Sequence, residues 1–551
     1  MKLKHCKTLL FSLIFSISLL AQNTVGVLLN TADSFNGYTL FTIHEETYLI
    51  NNCGEVINQW TSAYNPGKSV YLLENGNLLR AAVLPNPGNI AIPGIGGRIE
   101  LFDWDGNLLW EYDYSTNLVA QHHDIYPMPN GNVLMIAATI LTDTEAIQMG
   151  RDPSKLIDGQ LYNEQLVELQ PIIDGVNNNT ANIVWQWDIK DHLIQDFDNT
   201  KDNFGVIEDN PQLLDINYLG FSGVDGKANW LHMNSAQYNA QLDQILVSAR
   251  FLNEFYIIDH STTTAEAATG SGGTYGKGGD LLYRWGNPLA YGQGTSLDQK
   301  LFGQHYPHWI PDGLTDAGKI IIYNNGIIRT PSFSQIDILV PPTSAPGVYT
   351  YTANTAYGPA SPEYTYTSPV NTDFYSPILS GAQRLPNGNM LICEGTSGHF
   401  FEIDASENIV WRYINPIGPS SILSQGDDPQ FVVNNVFRAH KYALNYPAFN
   451  GRDLTPGLPI ELNPDLAQCS ILNVTDNNFN EISVYPNPVN DLLFINRRVK
   501  ISKIEVFDLF GNLVKASNNQ NQINLSNLKS SLYILKLYAN GKYSIKKIIK
   551  L

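Results

Sequence analysis

Eleven histidines are scattered through the 551 residues, and several keep a common distance from a turn. His123 lies eight residues before Gly131 and His305 eight before Gly313, while Ser380 stands in the same place before Gly388. His232 opens a longer unit of the same kind, and His440 opens the last. A buried imidazole must be hydrogen-bonded or solvated, so a ring of them on one axis is poor core material. Two chemistries suit such a ring. Neutral imidazoles bind metal ions, but no His-x-His or His-Glu-x-x-His pair occurs, and the adjacent His122 and His123 would point apart on a strand. The other is group transfer through a histidine nucleophile, with further His and Arg holding an anionic group. That chemistry needs neither metal nor cofactor. Taken singly, each histidine serves equally well to satisfy a neighbouring loop.

Such chemistry needs a scaffold that brings distant segments to one axis, and two alternating patterns supply it. The first is a turn followed by a strand ending in aromatics, as in Gly54 to Trp60, Gly106 to Tyr112, Asn182 to Trp187, Asp280 to Trp285 and Asn408 to Tyr413. The second is a strand into a turn and out again, as at Val70 to Gly76, His122 to Gly131 and Ala382 to Gly388. Strand, turn, strand is a hairpin signature. Alternation gives about four strands per unit and about six units, the mark of a β-propeller. The expected fold class is all-β, a six-bladed β-propeller, with an array of two-sheet sandwiches as the competing arrangement. Two polar insertions, residues 189–228 and 327–376, are long enough to cover or line a site. Tryptophan recurs at strand ends, where blade packing wants it, which weighs against a quinone-cofactor pocket.

Composition agrees. Only 15 % of residues are charged and 43 % are apolar, with 29 Tyr, 43 Gly and 30 Pro. Ordinary soluble domains carry about 25 % charged residues. The profile suits short strands joined by turns and argues against helical bundles. A net charge of −19 argues against general nucleic-acid binding, which needs a basic face. Residues 481–551 reverse the balance, with eleven basic side chains against four acidic ones. At the other end Lys2, Lys4 and Lys7 precede an apolar run, Thr8 to Leu20, with Ala21-Gln22 as a cleavage point. This reads as an export signal. It is shorter than the roughly 20 residues a membrane span needs, no later segment qualifies, and an uncleaved anchor is the competing reading. After cleavage Cys53, Cys393 and Cys469 remain. An odd number at wide spacing gives neither a disulfide framework nor a metal motif, so buried free thiols are expected. The expected domains are a signal peptide at 1–21, the propeller at 22–454, a linker at 455–479 and a small β-sandwich at 480–551.

The last unit reads Tyr485-Pro-Asn-Pro, then Ile504 to Phe507, Phe510-Gly511, Gly541-Lys-Tyr and a Lys-rich final strand. It resembles the type A C-terminal sorting domain of the type IX secretion system of Bacteroidetes. The resemblance implies passage through periplasm and outer membrane by way of that machinery, ending secreted or at the cell surface. A carbohydrate-binding or adhesive β module is the alternative.

Several separated segments of the body carry a second resemblance: Gln121-His-His-Asp124, Trp230-Leu-His-Met-Asn-Ser235, Leu246 to Glu254, Gly303-Gln-His305 and Tyr323-Asn-Asn-Gly326. Together they look like the arylsulfotransferase family. The resemblance implies a six-bladed propeller that moves a sulfuryl group from an aryl sulfate to a phenol, without a nucleotide donor, through a sulfated histidine. It assigns catalysis to His232, His305, Arg329 and His440, and substrate binding to His123, Asn234, Arg250, Asn325, Ser380 and Gln383. One departure matters. The family's nucleophilic histidine is expected from a blade later than that of His305, where this chain offers Ser380 or Gln383. His399 and His440 are nearby, and neither falls cleanly in register. A non-catalytic cell-surface binding propeller is therefore the alternative function.

Overall fold

The computed structural model describes residues 23–85, 88–220, 226–469, 483–496, 501–509, 511–539 and 542–551. The expected export signal at 1–21 lies outside them. Two compact units divide the chain, one ending at Cys469 and the next beginning at Ser470.

Among the described residues, six antiparallel sheets of four or five strands make up most of the first unit. Taken in turn, their first strands are His440–Ala443, Pro66–Leu72, Val119–Pro127, Met233–Asn239, His305–Trp309 and Gly381–Arg384. The first sheet joins both ends of the unit, because His440–Ala443 pairs with Gly37–Ile43. The sixth does so too, gaining Gly26–Asn30 on its outer strand Ile409–Ile414.

The turns explain why these hairpins form. Gly76, Gly131 and Gly388 take φ near +90° (87°, 86° and 91°), the left-handed region glycine enters without steric cost. The asparagine before each glycine accepts the amide two residues on, at 2.9 Å for Asn75, 3.0 Å for Asn130 and 3.1 Å for Asn387. The side chain thus mimics a backbone turn.

Apolar clusters lie between successive sheets. Leu49 and Trp60 of the first sheet pack with Val70 and Phe102 of the second. Trp110 of the second meets Ile125 and Val167 of the third, and Trp187 of the third meets Ile245 and Ile258 of the fourth. The same holds from fourth to fifth, from fifth to sixth, and from sixth back to first, where Trp411 and Phe400 pack on Phe41 and Ile50. Each last-strand aromatic also ties its sheet to the next by a hydrogen bond. The indole N–H of Trp60 donates to Asp103 O, of Trp110 to Thr180 O, of Trp187 to Gly279 O, of Trp285 to Pro359 O and of Trp411 to Asn52 O, each at 2.8 Å. In the fifth sheet Tyr364 takes that part, donating to Glu407 Oε1 at 3.0 Å. A tryptophan with an apolar body and one donor suits this position, and truncating one to Ala costs about 3–5 kcal/mol.

The cysteines correct the sequence reading. Cys53 and Cys469 form a disulfide with Cα atoms 5.6 Å apart, across 416 residues of chain. Sequence spacing does not foretell this pair, because sheet closure alone brings the two together. Cys393 remains a buried free thiol.

The second unit holds a three-stranded sheet, with Ser483–Tyr485, Leu492–Asn496 and Gln522–Asn524, and a four-stranded one ending in Lys542–Lys550. Val489, Leu493, Val506, Leu535 and Ile548 of this unit share one apolar cluster.

Candidate functional site

In or beside the first strands of five sheets, non-glycine residues take a positive φ: Lys68 (101°), His123 (53°), His232 (54°), Tyr306 (52°), and the pair Leu379 (60°) and Ser380 (87°). Strand register shifts near four of them, between Pro66 and Val70, opposite His123, between Met233 and Ser235, and between His305 and His308. Bulges of this kind re-aim side chains. Such backbone costs about 1–3 kcal/mol per residue and concentrates at functional sites. The common distance to the turn glycine thus reflects a real structural repeat. It also assigns one residue differently: in the fifth sheet the bulge residue is Tyr306, and His305 precedes it. Lys68 lies eight residues before Gly76 and was the unrecognised member of the same series.

Three predicted histidines meet. The rings of His123 and His232 lie 4.6 Å apart, and His232 stacks on Phe251 at 4.5 Å. His122 is drawn in as well, its Nδ1 2.9 Å from Nδ1 of His123. His305 lies close enough to add to the lowering of the pKa of both His123 and His232. All three are 3–5 % exposed.

Hydrogen bonds fix which ring nitrogens carry protons. Asn325 donates its amide to the carbonyls of Ser376 (2.7 Å) and Leu379 (3.1 Å), so its oxygen is an acceptor. Nδ1 of His305, 2.8 Å away, must therefore donate to it, which leaves a lone pair on Nε2. At His232 the Asn229 amide nitrogen donates to Nδ1 at 2.9 Å, so Nε2 carries the proton there. The two rings thus present an acceptor and a donor.

Burial first, and Arg250 second, push the His305 pKa down to about 3. Burial also holds His123 and His232 well below the ordinary value, helped by the neighbouring histidines and by Arg250. These rings are neutral at pH 7. Charge comes from Arg250, lowered by burial to about 10 but still protonated, and from Lys68 beside His123. Glu164, whose Oε2 accepts Met233 N–H at 2.7 Å, is driven by burial up to about 8 and brings no full negative charge. The site is a buried, net-positive cluster of neutral imidazoles. It suits an anion that reacts with a nitrogen lone pair.

The other predicted residues sit elsewhere or are occupied. Asn234 donates to Gln304 O at 2.8 Å and joins the fourth sheet to the fifth. Ser380 Oγ donates to Ser376 Oγ and accepts Gly395 N–H at 3.0 Å. Gln383 is spent on the Lys441 backbone, accepting its N–H at 2.9 Å and donating to its carbonyl at 3.0 Å. Arg329 donates to Gln335 Oε1 at 2.8 Å and lies between Phe302 and Phe333, away from the imidazoles. His440 packs against Tyr71 and Tyr306 at 5.2 and 5.8 Å, beyond the buried Asp124–Arg438 pair. Of the long insertions, the second sends Ser376 to Asn325 and sets Tyr375 near Arg250. Among the described residues no group of three or more His, Cys, Asp or Glu is arranged to hold a metal ion.

Residues 45–418 match the arylsulfotransferase (ASST) family. The chain belongs to that family. Arylsulfotransferase membership implies aryl substrates. Residues 483–551 match the secretion-system C-terminal sorting domain, which marks this arylsulfotransferase for export to the cell surface or beyond. Among solved structures, a streptogramin B lyase is similar, with 10 % identity and a TM-score of 0.32 over 72 % of this chain and 85 % of the lyase. Virginiamycin B lyase from Staphylococcus aureus gives 9 % identity and a TM-score of 0.29, over 70 % and 86 % of the two chains. No curated protein matches the sequence significantly. Among the described residues no helix is long and apolar enough to cross a membrane.

Proposed function

We propose that this protein is a secreted aryl-sulfate sulfotransferase acting through a sulfohistidine on His305. The observation that carries the reading is the Asn325–His305 bond, which leaves Nε2 unprotonated beside Arg250 and two further imidazoles. In the first half-reaction the Nε2 lone pair attacks sulfur. The S–O bond to the aryl group breaks and the phenolate departs as the anion, its oxygen accepting a hydrogen bond from Nε2–H of His232. In the second, an acceptor phenol that has lost its proton to solvent attacks sulfur as the phenolate, and the N–S bond breaks to return the lone pair to His305 Nε2. Arg250 and Lys68 hold the sulfuryl oxygens throughout. His123 holds His232 in place through their ring contact. Asn234 sets the bulge beside His232. Arg329, Ser380 and Gln383 shape the strands around the chamber.

We read the body, 22–454, as a six-bladed propeller. Its support is the cycle of six interfaces and six aromatic ties that returns to the first sheet. A signal peptide at 1–21, a linker at 455–479 and a sorting sandwich at 480–551 complete the proposed organisation, with type IX machinery as the partner. The non-catalytic binding alternative has one observation in its favour: Ser380, with a φ of 87°, stands in the series where a further histidine would complete the set, and its hydroxyl is already engaged.

Steady-state turnover separates the two. The intact chain, given p-nitrophenyl sulfate and phenol, should release p-nitrophenol with the parallel double-reciprocal lines of ping-pong kinetics. Saturable binding without turnover, across several aryl sulfates, would select the binding protein.

A further inference from the structure

We propose that the opposite mouth of the same axis is a second ligand site, one that takes an uncharged ring compound bearing several hydroxyl groups. A cavity of about 900 Å³ opens there, at the upper end of the 300–1,000 Å³ range of small-molecule sites. The inference does not depend on the sulfuryl-transfer reading.

His122, His123, His232 and His305 are not among the residues that line the cavity. Asp124 and Arg438 pair, and the Arg438 guanidinium stacks over Tyr306 at 4.2 Å and Phe437 at 4.6 Å. The cavity wall is aromatic: Tyr71, Tyr126, Tyr306, Trp309, Tyr442 and Tyr446 all line it. Faces of this kind stack on flat rings and on the C–H faces of sugars.

Its polar groups are neutral hydrogen-bonders. Gln237, His308 and His440 line the cavity, and all three are at least nine-tenths buried. Nδ1 of His308 donates to Tyr306 O at 3.1 Å, which leaves Nε2 as an acceptor. Nε2 of His440 has no hydrogen-bond partner among the described residues. A buried polar atom left so costs about 1–3 kcal/mol, which a ligand hydroxyl would recover. The charged lining residues are Glu74 and Arg384, and Arg384 is already paired with Asp316 at 2.7 Å. Burial keeps both histidines neutral at pH 7, with pKa values near 4 for His308 and near 3 for His440. An aryl sulfate finds no free cation on this wall, whereas a polyol finds aromatic faces with neutral donors and acceptors.

The test is calorimetric titration of the intact chain with two probes, maltotriose as the saccharide arm and catechin as the polyphenol arm. One of them should bind at one site per chain. His305→Ala should leave that affinity unchanged, and Trp309→Ala or Tyr126→Ala should weaken it about tenfold or more. Hydroxyl-radical footprinting of the unmutated protein covers the case of misfolded variants: the bound probe should protect Tyr126 and Trp309. Absence of binding by both probes would overturn the proposal. So would binding that is lost with His305→Ala, or a bound probe that leaves Tyr126 and Trp309 unprotected.

Discussion

Arg438, beside the last strand of the first unit, forms a fully buried ion pair with Asp124 of the third sheet, across 314 residues of chain. Asp124 also accepts the backbone N–H of Ala236 at 3.1 Å and binds Tyr71. One pair therefore ties the closing segment of the unit to its third and fourth sheets.

Removing one partner leaves a buried charge without compensation. Arg438→Met should lower stability by about 3–5 kcal/mol, read by denaturant unfolding monitored by circular dichroism. The double variant Arg438→Met with Asp124→Leu should recover much of that loss. A single variant within 1 kcal/mol of the parent, on this same order-of-magnitude scale, would show that the pair does not hold the closure.

Acid should unfold the first unit well above the carboxylate range. Six buried histidines are held below their ordinary value by burial: His122, His305 and His440 near 3, His308 near 4, and His123 and His232 well below it. The unfolded chain takes up protons below about pH 6.5 while the folded one does not. Stability is therefore fully present above that pH and is lost as pH falls toward 4. Glu164, raised to about 8, and other carboxylates raised by burial, Asp124, Glu254 and Asp337 among them, work in the opposite direction and offset part of this loss. Urea midpoints measured between pH 7 and 4 should fall steeply, and a flat profile would contradict the neutral chamber.

Lys68 should bind the sulfuryl oxygens. Lys68→Met should lower kcat/KM for aryl sulfates by about 10²-fold, and Lys68→Arg should restore most of it. The Met variant should unfold at the parent midpoint, because no carboxylate partner of Lys68 lies among the described residues. Equal losses in the Met and Arg variants would mean that the strained backbone matters and the charge does not.

The Cys53–Cys469 bridge should stabilise the closed body. Cys53→Ser should cost about 2–5 kcal/mol, the range for native disulfides. Non-reducing peptide mapping of the exported protein should recover the two cysteines as one linked pair. Free thiols at both positions would contradict the bridge.

Much of this was legible in the sequence because local rules repeat. The Asn-Gly turn is shared by the second, third and sixth sheets and the strand-end tryptophan by five of the six, and the structure uses them as the pattern suggests. The histidine register likewise found His123, His232 and His305. Lys68 shares the eight-residue spacing, but a lysine on a strand reads as an ordinary solvated charge where an imidazole in a core does not. Tyr306 escaped because a bulge shortens the fifth strand's approach to its turn by one residue. Arg438 and Asp124 meet only when the sheets close, as do Cys53 and Cys469, and no local spacing encodes such closure. His440 looked like a sixth ring member by order along the chain, but its position nearer the other mouth depends on where along the axis each strand begins.

The central claim is that His305 carries the sulfuryl group, and intact-mass analysis of the protein after brief exposure to p-nitrophenyl sulfate tests it most directly. One added sulfuryl group should appear, mapping to His305, vanish on addition of phenol, and be absent in His305→Ala. An adduct mapped to another residue, or phenol release from His305→Ala at the parent rate, would contradict the account.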